Sequence, residues 1–167
     1  MKRTIILVLA SIGCAGEAHD VSTLREAIDQ SQVSIHDMVG VAESSMLDGR
    51  AVTAELRLDG GRALYAYGAI GGGSRHDIRI DTIDGAIVSS AVSGAGSDPC
   101  PDSISLAEAI AIAEGEVERG SVIAAIPDDD VACAREIQVL GPDLLWEVKV
   151  GADGAVLERE ESDETED

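Results

Sequence analysis

The chain has no phenylalanine, and its aromatic residues are Tyr65, Tyr67 and Trp146. Its core must therefore be aliphatic, and it offers few flat platforms on which sugars or bases could stack. Lysine is nearly absent: only Lys2 and Lys149 occur. With 12 basic residues against 32 acidic ones the formal net charge is −20. Nucleic acid is excluded as a partner, because affinity there comes from neutralising phosphates with Lys and Arg. Anionic membrane surfaces are disfavoured for the same reason. The charge suits solubility, in high salt included, and it equally suits a cationic partner. No apolar run reaches the roughly 20 residues needed to span a bilayer. A Gly-x-Ser-x-Gly elbow is missing. Gly71-Gly72-Gly73 has no Lys and no helix pattern behind it, which argues against a phosphate cradle. Cys133 follows Asp128-Asp129-Asp130, a setting that weakens a thiol as a nucleophile.

What is present begins with an export pattern. In residues 1–18, Lys2 and Arg3 precede the apolar run Ile5–Ile12, and small residues follow at Gly13, Cys14, Ala15 and Gly16. A buried N-terminal strand is the alternative, since Ile and Val also favour strands. Ser11-Ile12-Gly13-Cys14 resembles the lipobox of bacterial lipoproteins, where the Cys is acylated and becomes the mature N-terminus. Acylation at Cys14 and cleavage near Ala15 or Ala18 both stay open, and either leaves Cys100 and Cys133 as an even pair. In an oxidising compartment that pair suggests a disulfide. It would close a loop of roughly 34 residues and stabilise by about 3–4 kcal/mol on the chain-entropy argument. Two buried free thiols are the other outcome.

The body of the chain repeats itself. Thr23-Leu24-Arg25-Glu26-Ala27-Ile28 reappears as Ser105-Leu106-Ala107-Glu108-Ala109-Ile110, each reading as a capping box ahead of an apolar stripe. The first stripe continues through Ile35, Met38, Val39, Ala42 and Met46 and predicts one long helix. Strands follow at 52–58, at 62–70 after Asp59-Gly60-Gly61, from His76 to Ile80, and at Ala86-Ile87-Val88 after Asp84-Gly85. The second copy predicts a helix to Gly120, then strands at 121–126, 133–140, 144–150 and 155–158. Residues 93–103, with Ser, Gly, Asp and two Pro around Cys100, read as a linker. The acidic end, 159–167, reads as a solvated disordered tail.

The capped Leu-x-Glu-Ala-Ile helix, the hairpin, and Ile80-Asp81-Thr82-Ile83-Asp84-Gly85-Ala86-Ile87-Val88 together resemble the PepSY domain. A second match ends in Val148-Lys149-Val150-Gly151-Ala152-Asp153-Gly154-Ala155-Val156-Leu157, with a turn one residue shorter. The resemblance implies tandem units at 22–92 and 104–158, no agreed catalytic residues and no cofactor. It also implies binding of a protein or peptide, with inhibition of an envelope peptidase as one form.

Three other constellations bear on chemistry. His19-Asp20, His36-Asp37 and His76-Asp77 are His-Asp pairs of the kind metal-dependent hydrolases use, yet their predicted places on a cleavage site, a helix and a strand do not converge. Asp128-Asp129-Asp130 is a candidate cation-binding turn without the Gly and distal Glu of an EF-hand loop. Tyr65, Tyr67 and Trp146 read as core. The expectation is an α+β chain of two tandem units, each an amphipathic helix packed on a small antiparallel sheet. It is exported to the periplasm or lipid-anchored at Cys14, its only predicted link to a membrane. It is non-catalytic, and it binds partners at edge strands near 62–70 and 133–140. A small metal-dependent hydrolase and a cation-binding envelope protein are the alternatives.

Overall fold

A computed structural model of the chain describes residues 20–162. The elements run α1 (Val21–Gln30), α2 (Ile35–Ser44), β1 (Arg50–Asp59), β2 (Arg62–Gly71), β3 (Ser74–Asp81), β4 (Ile87–Ala95), α3 (Leu106–Glu116), β5 (Ser121–Pro127), β6 (Arg135–Leu140), β7 (Leu145–Val150) and β8 (Val156–Glu161). Cys14 and His19 lie outside the described residues.

The helix predicted from Thr23 onward is two helices. Asp20, not Thr23, caps α1: its carboxylate accepts the Thr23 amide at 2.9 Å. The chain then leaves helical geometry at Ser31. The amides of Gln32 and Val33 donate to the Thr82 carbonyl at 2.8 and 3.2 Å, so this backbone ties down the β3–β4 turn. Ser34 starts α2 by accepting the Asp37 amide at 3.0 Å. The apolar spacing hides this break, because Ile28 and Ile35 stay in helical phase across it.

The two expected small sheets are one. All eight strands form a single antiparallel sheet ordered β4-β3-β2-β1-β5-β6-β7-β8. The first strand of each half pairs with the other, Ala54 against Ala125 and Glu55 against Ala124. The expectation of two separate helix-on-sheet units therefore fails: each half alone would expose the pairing edge of its first strand to water, and joining satisfies both ladders.

The repeat survives, in a different register from the sequence echo. An offset of 71 residues carries the cap Ser34 onto Ser105 and Glu43 onto Glu114. Glu43 accepts the Ala51 amide at 3.0 Å, and Glu114 accepts the Val122 amide at 3.5 Å, each beside a β-bulge. Gly85 and Gly154 both sit at positive φ, packed against Val33 and Ile104 respectively. Ala54 therefore pairs with its own counterpart, Ala125, and a pseudo-twofold axis passes through the centre of the sheet. The helix equivalent to α3 is α2, and α1 is an addition to the first half.

One apolar core runs across both halves. Ile35, Val39 and Ala42 of α2 and Leu106, Ile110 and Ala113 of α3 lie over Tyr67, Ile78, Ile137, Val139 and Val148. Tyr65 and Tyr67 belong to this core and donate their hydroxyls to the carbonyls of Val33 and Ile35 at 2.9 and 2.5 Å. Burial drives both phenol pKa values up. Helix α1 closes a separate corner, placing Val21, Leu24 and Ile28 on Leu56, Ile123, Leu140 and Leu145. Arg25 of α1 also donates to the Gly141 carbonyl.

The crossover from β4 to α3 is pinned. Strand β4 extends to Ala95, into the segment predicted as the 93–103 linker. Arg50 holds the rest of that segment, donating to the carbonyls of Pro101 and Ser103 at 2.7 Å and lying 3.0 Å from the Asp98 carboxylate. Arg135 donates to the Ile104 carbonyl at 3.1 Å. Cys100 and Cys133 are disulfide-bonded with Cα atoms 5.5 Å apart. At the other end β8 reaches Glu161, so the first residues assigned to the 159–167 tail are strand.

Candidate functional site

The strands expected to be edges are interior. Residues 62–70 fall in β2, paired on both sides by β1 and β3, and β6 is likewise paired by β5 and β7. The edges are β4 and β8. The reason lies in the β1–β5 join, which turns each half's first strand inward and its last outward.

The two edges differ in character. Strand β8 reads Val156-Leu157-Glu158-Arg159-Glu160-Glu161, with exposed Val156 and Leu157 followed by four consecutive charges. Charged side chains of this kind are how sheet edges are protected from further pairing. Strand β4 reads Ile87-Val88-Ser89-Ser90-Ala91-Val92-Ser93-Gly94-Ala95 and is exposed throughout. No charged residue occurs between Asp84 and Asp98. Ile87, Val88 and Val92 are 42, 45 and 65 % exposed. Ile87 and Val92 pair with Ile80 and His76 of β3, on the helix-covered side of the sheet, where α2 and α3 stop short of the edge. Neighbouring Ile83 is also exposed. The geometry offers an extended segment an unpaired backbone ladder with branched apolar side chains beside it.

The sheet face opposite α2 and α3 is charged. Glu136, Lys149 and Glu158 stand in one cross-strand row, and Gln138, Glu147 and Glu160 in the next. Partial burial, followed by the nearby carboxylates of Glu136 and Glu160, pushes Glu147 up to about 7. Glu136 is raised by burial first and then by nearby carboxylates, Asp128 foremost. In the first half, Ala66 and Gly68 have no large side chains to fill their positions, leaving a shallow hollow of about 280 Å³ walled by Thr53, Glu55, Asp77 and Arg79. Its charges are partly paired, Arg57 with Glu55 at 2.7 Å and Arg79 with Asp59 at 3.4 Å.

The His-Asp pairs are not brought together. His36 on α2 faces Glu114 at 3.8 Å, and His76 on β3 lies 3.3 Å from the Gly71 carbonyl. Among the described residues no group of three or more His, Cys, Asp or Glu could hold a metal. In the Asp128–Asp130 turn, Asp128 accepts the amides of Asp130 and Val131 at 3.0 and 2.5 Å and the Lys149 ammonium at 2.8 Å. Lys149 thus occupies the position a cation would take, and these bonds hold the Asp128 carboxyl below its usual range despite its burial. Trp146 is partly buried under the Arg159 guanidinium, 4.5 Å from the ring centroid.

Sequence reasoning missed β4 by ending it at Val88. A signal was present but did not single out the edge: residues 85–97 carry no charge at all, yet residues 60–76 are likewise free of carboxylates and contain the interior strand β2. Read as composition, the 85–97 stretch looks like the start of a linker. Read as a β edge, it is unguarded.

No protein-family model matches the chain, and no curated protein matches it. Among solved structures, it is similar to a candidate lipoprotein of Clostridium difficile 630, with 18% sequence identity and a TM-score of 0.47, covering 79% of this chain and 95% of that one. A likeness this distant carries no argument about function. Among the described residues no helix is long and apolar enough to cross a membrane.

Proposed function

We propose that the chain is an exported, non-catalytic module of PepSY type that binds a protein or peptide by adding an extended strand to β4. The observation that carries this reading is the contrast between the edges: β8 carries four consecutive charges at Glu158–Glu161 after exposed Val156 and Leu157, whereas β4 is exposed and has no charge anywhere along it. Strand addition draws affinity from main-chain hydrogen bonds and specificity from alternate side chains. Ile87, Val88 and Val92 favour a partner segment with small or branched apolar residues and no charge. Export rests on the pattern of residues 1–18, with Cys14 as the candidate lipid attachment. Restraint of an envelope peptidase is the narrower form of this function, in which the added strand belongs to the enzyme or its substrate.

Selection of a displayed random-peptide library on residues 20–162 tests the binding. Enriched peptides should be uncharged and β-branched, and Val88→Lys combined with Val92→Lys should abolish their binding while leaving the fold intact. Enrichment of basic peptides that bind the double variant equally well would place recognition on the acidic sheet face instead. Unchanged turnover of the envelope peptidases at saturating protein would remove the inhibitory form alone.

A further inference from the structure

We propose that the strand β4 receives is the β4 of a second copy of this chain, joined antiparallel about a twofold axis. The inference rests on the reading of β4 as an open edge and names its occupant. Charge selects this occupant. Two molecules at a formal −20 each repel wherever their carboxylates meet. They meet none along Gly85–Ser97, and the adjoining strand β3 alternates Arg75 and Arg79 with Asp77 and Asp81. The β8 edge lies at the far end of the sheet order, seven positions from β4, and the acidic rows on β6–β8 lie five to seven positions away.

Closure supports the same occupant. A twofold contact uses one patch on both partners. Pairing β4 with β4 yields a sheet of twice the width whose two outer edges are both β8, with Glu158, Glu160 and Glu161 on each. Growth therefore stops at two copies. Pairing β4 with β8 would instead leave a free β4 at the end of every assembly and propagate into a filament, with the charges of β8 opposing each step. Side chains fit a self-pair as well. Centred near Ala91, the antiparallel strands set Ser89 against Ser93 and Ser90 against Val92 at the crossing, with Ile87 and Val88 of each copy toward the outer ends. The chain already makes a join of this kind internally, where Ala54 meets Ala125 at the pseudo-twofold axis.

The contact area is that of one strand edge plus a few branched side chains, which belongs to the small end of specific interfaces. Sedimentation velocity of residues 20–162, from about 1 to 500 µM, should therefore show a reversible shift from monomer to dimer with no larger species. Raising salt from about 20 to 500 mM should strengthen association several-fold, because screening relieves the net repulsion. Val88→Lys and Val92→Lys, singly and together, should each weaken it at least tenfold, with circular dichroism unchanged. A chain that stays monomeric throughout overturns the inference, and if selected peptides still bind β4 the binding reading survives alone. A dimer that tolerates both substitutions, or dissociates as salt rises, places the contact elsewhere and overturns it too.

Discussion

At the scale of residues, the molecule relies on a few polar groups in costly positions. Glu147 is the clearest, since its pKa of about 7 lies well above the 4.5 of a free carboxyl. The raised value means that the folded state favours the protonated form and takes up a proton on folding. Stability from this group is therefore full below about 4.5, falls as pH rises to about 7, and stays reduced above that. Glu147→Gln should raise the melting temperature at pH 8 by about 2–4 °C, allowing for solvent screening of a half-exposed group, and leave it nearly unchanged at pH 5. Thermal melts at the two pH values check the sign; an equal shift at both would show that the carboxyl titrates normally. The Cys100–Cys133 bond acts differently, by restricting the unfolded chain across a separation of 33 residues. Replacing both by Ser should cost about 3 kcal/mol in urea unfolding, less whatever Arg50 and Arg135 recover by holding the crossover. The cysteine pair was legible as an even count in a chain whose start reads as an export signal. Glu147 was not, because its pKa depends on Glu136 and Glu160, which only strand pairing brings beside it.

At the scale of elements, local signals worked where they were complete within a few residues. The Asp-Gly turns at 84–85 and 153–154 and the capping box Ser105–Glu108 stand where the sequence places them. The box at Thr23–Glu26 is an echo without the role, since Asp20 caps α1 and α2 is the true counterpart of α3. An apolar stripe reports which face of a segment is buried and says nothing about an interruption that keeps phase, so α1 and α2 look like one helix in the sequence. Helix α1 lacks a partner in the second half, and apart from buried Ala27 its apolar side chains Val21, Leu24 and Ile28 are only partly buried. Leu24→Ala should cost about 1–2 kcal/mol, below the usual range for a fully buried leucine. Hydrogen exchange should show faster opening confined to α1 and the Leu140–Leu145 corner. Loss of protection across the whole sheet would mean that α1 is integral to the main core.

At the scale of the whole molecule, the decisive fact is the join between β1 and β5. Nothing local in Ala54 or Ala125 announces it. Small apolar residues suit the middle of any sheet, and Ala54 and Ala125 lie 71 positions apart. It makes one body of two repeats, buries the strands that the sequence offered as edges, and turns β4 and β8 outward. The proposed function rests on which outer edge is guarded. The most direct test is amide exchange followed by NMR along all eight strands, free and with a selected uncharged peptide bound. The account predicts that in the free monomer, kept dilute enough that β4 does not pair with a second copy, alternate amides exchange fast in β4 and β8, while β2 and β6 are protected throughout. On binding, the fast amides of Ile87–Ala95 should slow by an order of magnitude or more and those of β8 should not change. Fast alternate amides in β2 or β6, or protection on binding that appears anywhere but β4, would contradict it.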